Sequence, residues 1–80
     1  MQKSDAETPI PLGKVRANTG AVVKSISGDK QFVSKVIGMG ITPDSGLFIV
    51  RNHKIGPVII FLRDSFIAIS RRESGNILVE

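Results

Sequence analysis

The residues in this chain that could do chemistry are few and far apart. His53 is its single histidine, sits beside Lys54, and has no carboxylate close by in sequence. Iron or zinc sites need several His, Cys or carboxylate groups converging, and the chain has no cysteine and no such spacing. His53 therefore reads as a surface histidine. Asp64-Ser65 resembles a nucleophile with a neighbouring acid, but an activated serine needs a positioned base, and the pair suits a hairpin turn better. Gly38 and Gly40 begin a glycine-spaced phosphate loop, yet Pro43 stands where the dinucleotide fingerprint has its third glycine. Arg71-Arg72 is able to meet phosphates or an acidic protein surface. Nucleic-acid modules add stacking aromatics to such a patch, and Phe66 is the only one near. No catalytic residue, metal or cofactor is expected. The chain reads as a binding protein, not an enzyme.

Composition bounds the scaffold that holds these residues. Eighty residues make one small domain, which buries roughly 60% of its unfolded surface. A hydrophobic share of 41% is ample for a core and argues against disorder. Lacking cysteine, the chain fits a reducing compartment. Eleven Lys and Arg against seven acids leave a net charge of +4, which favours acidic partners. No apolar run approaches the roughly 20 residues of a membrane-spanning helix, and residues 1–11 lack a signal peptide's pattern. A soluble, cytoplasmic protein is expected. Residues 1–11 read as a polar tail, and residues 12–80 as the domain.

Along the domain, Gly20 to Ile26 reads as the first strand, with Leu12 and Val15 packing ahead of it. Ser27-Gly28-Asp29 breaks the strand and offers oxygens to cap a helix from about Asp29 to Ile37. Phe32, Val33, Val36 and Ile37 form the apolar face of that helix. The stretch Gly38-Met39-Gly40-Ile41-Thr42-Pro43 then ends it: Gly40 suits a left-handed cap and Pro43 cannot continue a helix. Further strands are expected at Leu47 to Arg51, Pro57 to Arg63, Phe66 to Ser70 and Ile77 to Val79. Turns lie at Pro43 to Gly46, Arg63 to Ser65 and Glu73 to Asn76. About five short strands and one helix predict a mainly β protein, a small barrel whose closure removes exposed strand edges. An open sandwich is the alternative.

This order of features resembles the FeoA family, the small cytosolic partners of the ferrous-iron transporter FeoB. The resemblance covers roughly residues 12–79. It rests on Gly20-Ala21-Val22-Val23-Lys24-Ser25-Ile26, on Ile37 through Pro43, on Gly56-Pro57-Val58-Ile59-Ile60, and on Ile67-Ala68-Ile69-Ser70-Arg71-Arg72. It implies an SH3-like barrel with the helix inserted after the first strand, and no catalysis by the protein itself. It also implies a FeoB-type transporter's cytosolic part as partner, with a regulatory role in iron uptake. The family usually has Gly where this chain has Asp44, so a different turn type is expected after Pro43. The same fold forms the C-terminal domain of iron-dependent repressors. With no DNA-binding domain ahead of it, this chain reads as free-standing.

Alternation along the strands holds one more feature. The family pattern puts Leu47, Ile49, Val58, Ile60, Leu62, Ile67 and Ile69 inside. Their outward neighbours should be polar, but are Phe48, Val50, Ile59, Phe61, Phe66 and Ala68. Two readings fit. In one, the outward residues Phe48, Ile59, Phe61 and Phe66 form an interface for a partner or a second copy, with Arg51, Arg63, Arg71 and Arg72 orienting the encounter. In the other, the tail through Ile10 and Leu12, or the helix, folds over them. A basic nucleic-acid-binding barrel and a self-associating module remain as other functions.

Overall fold

Six antiparallel strands form the sheet, in the order β1-β6-β2-β3-β4-β5. The computed structural model describes residues 8–80. The strands are β1 (Ile10–Pro11), β2 (Thr19–Ile26), β3 (Gly46–Arg51), β4 (Val58–Leu62), β5 (Ser65–Ile69) and β6 (Ile77–Val79). Two helices join them, α1 (Lys30–Gly38) and the single turn α2 (Arg71–Ser74). A 3-10 turn, Leu12–Lys14, follows β1.

Strand β2 bends the sheet into a barrel-like shape by serving two partners. Thr19 to Val22 pair with β3, and Val23 to Ile26 pair with β6 across an irregularity between Val23 and Ser25. The curved interior holds Leu12, Val23, Ile41, Ile49, Ile60, Ile77 and Val79, each fully buried. Most of the expected inward set, Leu47, Ile49, Val58, Ile60, Leu62 and Ile69, is buried as read from alternation. Ile67 is half-buried, because β5 is the sheet's edge.

Helix α1 starts where Asp29 Oδ1 accepts the Phe32 N–H at 2.8 Å. It ends in a Schellman motif. The Ile41 N–H donates to Val36 O at 3.2 Å and the Gly40 N–H to Ile37 O at 2.9 Å, with Gly40 at φ +94°. Val36 and Ile41 are both buried, supplying the apolar contact typical of that cap. Ile37, expected on the core face, is instead 44% exposed. The apolar stripe of a nine-residue helix is narrower than four residues require.

Three further expectations change. Asp44 adopts the left-handed φ of +76° that glycine would take, and the Ser45 N–H closes the turn on Thr42 O at 2.9 Å. The turn after Pro43 thus keeps the conformation expected of glycine despite the substitution. Glu73-Ser74, read as the start of a turn, ends helix α2, whose cap is Ser70 Oγ accepting the Glu73 N–H. Ile10 and Pro11, placed in the tail, pair with Val79 and Leu78 as the edge strand β1. The rest of the expected tail, up to residue 7, lies outside the described residues.

Candidate partner-docking site

The β4–β5 hairpin sets the register of the outer face. Its two turn residues, Arg63 and Asp64, both have positive φ (50° and 65°), the signature of the turn type that matches strand twist. That turn pairs Leu62 with Ser65 and so Phe61 with Phe66. On the other side of β4, Phe61 pairs with Phe48. Directly paired residues project to the same side of a sheet, so the three rings form one row across β3, β4 and β5. The Phe61 and Phe66 rings are 4.9 Å apart at their centroids and tilted by 57°. Phe48 is 41% exposed and Phe66 70% exposed, with Phe61 half-buried between them.

Beside this row, Gly20 faces Phe48 from β2, and Val22 two residues on is exposed on the same side. A second row consists of Arg51, Ile59 and Ala68. Arg51 joins it through a register shift after Ile49; strict alternation from Phe48 would turn its side chain inward. The two tail residues named for a cover over this face lie elsewhere. Leu12 is in the core and Ile10 is on the far edge of the sheet from β5.

The four arginines separate. Arg51 shares the outer face. The Arg63 side chain lies over the helix cap, its Cδ and Nη1 3.8 and 3.7 Å from where a Cβ on Gly40 would sit. Arg72 is exposed. Arg71, expected at the surface contact, is instead half-buried and tied into the fold. Its Nε donates to Gly56 O at 3.2 Å, Nη1 to Gly13 O at 3.2 Å, and Nη2 to His53 O. Asn52 Nδ2 closes the same junction by donating to Gly13 O at 2.9 Å and Val15 O at 2.6 Å. Sequence reading passed over Asn52 as a loop residue, since backbone acceptors leave no side-chain pattern. It also passed over Ile55, 89% exposed at the tip of that loop. An apolar residue between Lys54 and Gly56 was the available signal.

Other charges serve the scaffold. Lys35 Nζ lies 2.9 Å from Glu73 Oε2 and links α1 to α2, and this hydrogen bond lowers the Glu73 pKa below the ordinary carboxylate value. No three His, Cys, Asp or Glu side chains converge among the described residues. No described helix is long and apolar enough to cross a membrane.

A curved antiparallel sheet with a helix after its first long strand defines a small SH3-like β domain. The comparisons narrow this class: the FeoA domain matches residues 10–80, and the chain belongs to the FeoA family. A Methanocaldococcus jannaschii protein, named as a candidate Fe(2+) transport protein A, is 36% identical over 70 residues, 88% of this chain and 84% of its own length. The crystal structure of an iron uptake regulatory protein (FeoA) matches with a TM-score of 0.85 at 26% identity, covering 91% of this chain and 97% of that one. A FeoA-like protein from Clostridium acetobutylicum gives 0.79 at 25% identity, covering 90% and 85%. A manganese-dependent transcriptional repressor shares the fold over 36% of its length, with a TM-score of 0.81 at 20% identity.

Proposed function

We propose that this chain is a cytoplasmic accessory protein of ferrous iron uptake, without catalytic activity of its own, that binds the cytosolic part of a FeoB-type transporter. Its family and a relative named for Fe(2+) transport support the role in iron uptake. The observation that carries the binding mode is the phenyl row Phe48-Phe61-Phe66, exposed on the outer sheet face. Apolar side chains that stay in water in the free domain give their transfer free energy to association instead.

In this reading Phe48, Ile59, Phe61 and Phe66 supply affinity. Each ring fully covered by a partner contributes roughly 1.5–3 kcal/mol. Arg51, on the same face, and the exposed Arg63 and Arg72 steer an acidic partner surface into register. Arg71 is tied to the scaffold through its bonds to carbonyls.

Isothermal titration of the full chain into the transporter's isolated cytosolic domain tests this directly. Saturable binding that weakens at least tenfold in Phe66→Ser is expected. Absence of binding, or equal binding by Phe66→Ser, rules the face out. Concentration-dependent mass in solution that Phe66→Ser abolishes, without transporter binding, would make a second copy the partner.

A further inference from the structure

A second surface feature lies at the end of the sheet where β3 runs into the loop 52–57. The 3-10 turn after β1 and this loop enclose an open groove whose floor is the Arg71 guanidinium. Two adjoining hollows of about 220 and 370 Å³ share Gly13, Lys14, Lys54 and Arg71. Arg16 and His53 complete the rim, and no carboxylate of the described residues lines either hollow.

Among the described residues the charge here is uncompensated. The ion pairs among the described residues are Lys24–Glu80 and Lys35–Glu73, so Lys14, Arg16 and Lys54 have no acidic partner among them. Asp29 is occupied in capping α1, and Asp44 and Asp64 sit in turns elsewhere. Arg71 uses one N–H on each of its three nitrogens for the carbonyls, which leaves two of its five donors. Packing three or more cations around one hollow raises the free energy of the empty groove, and an anion lowers it.

We propose that this groove binds an acidic polypeptide segment, two carboxylate side chains flanking the Arg71 guanidinium. This rests on the partner reading above, since the groove opens just beyond Arg51 on the docking face. Two observations favour carboxylates on a peptide over a phosphate or a nucleic acid. No aromatic residue lines it for base stacking. Its two hollows, which share Arg71, suit an extended chain better than one compact ion.

The test is an NMR titration of the full ¹⁵N-labelled chain with an acetylated hexaglutamate peptide. Hexaglutamine, inorganic phosphate and an RNA hexamer run in parallel. Saturable shifts are expected at Gly13 to Arg16 and His53 to Gly56 with hexaglutamate and not with hexaglutamine. Affinity should fall roughly tenfold between about 50 and about 300 mM salt, as screening shortens the range of the field. Lys14→Glu combined with Lys54→Glu should lose at least tenfold in affinity. Both residues are exposed, and a spectrum of unchanged dispersion would verify the fold. No saturation at the groove, or shifts spread equally over Lys24, Lys30 and Arg72, overturns the proposal. So does tighter saturation by phosphate or RNA. The titration needs no transporter, so its failure leaves the phenyl row standing, and the reverse holds too.

Discussion

Strand β4 has two faces of the same chemistry and different fates. Inward, Val58, Ile60 and Leu62 are buried in the core. Outward, Ile59 and Phe61 are half-buried, and the neighbouring Phe48 and Phe66 stand exposed beside Phe61. A strand that only had to fold would carry polar residues on the second face. Burial inside the domain accounts for one of the two apolar faces, and the proposed association would account for the other.

The inner face should dominate stability. Ile60→Ala is expected to destabilise by about 2–5 kcal/mol in chemical denaturation, through lost transfer free energy and a cavity. Ile59→Ala, its outward neighbour, should lose under about 1.5 kcal/mol. Equal losses would break the distinction between the faces. The adjacent arginines sharpen it on a smaller scale. Arg71→Ala removes three hydrogen bonds, leaving the Gly56 and His53 carbonyls without this donor and Gly13 O with Asn52 alone, and should lose about 1–3 kcal/mol, while Arg72→Ala stays within about 0.5 kcal/mol. Thermal unfolding of the two variants side by side measures the difference.

Smaller effects test how the faces were placed. Asp44→Gly relieves a side chain held at φ +76° and should stabilise by about 0.5–1 kcal/mol, the strain of a non-glycine residue less the entropy a glycine adds to the unfolded chain. Destabilisation instead would mean that the Asp44 side chain holds the turn. The smallest effect is that of pH. The folded-state pKa of Glu73 is lowered, so the link from α1 to α2 contributes stability above the unfolded carboxylate pKa and loses it as pH falls through the folded value. Glu73→Gln should flatten that small acid-side decline in melting temperature, and an unchanged decline would assign it to other carboxylates.

How far the sequence predicts this molecule depends on where each residue finds its partner. The α1 caps were readable because their partners lie within a few residues: Asp29 reaches Phe32, and Gly40 closes on Ile37. The inner face was readable from period-two alternation. Arg71 was not, since the carbonyls it binds lie 15 to 58 residues away and carry no side-chain signature. Strand β1 escaped notice as two residues, one of them Pro11, that owe their extended form to pairing with β6. The phenyl row falls between these cases. Alternation gave the outward side, the Arg63-Asp64 turn put Phe66 beside Phe61, and the β3–β4 register put Phe48 on its other side.

The most direct test of the docking face replaces Phe48 and Phe61 with Ser together and measures two quantities on one preparation. These are unfolding free energy and affinity for the transporter's cytosolic domain. The account predicts a stability loss under about 2 kcal/mol and an affinity loss of about 100-fold or more, since each tenfold corresponds to about 1.4 kcal/mol of lost ring burial. Loss of several kcal/mol in stability with transporter binding unchanged would contradict it and return these phenylalanines to the core.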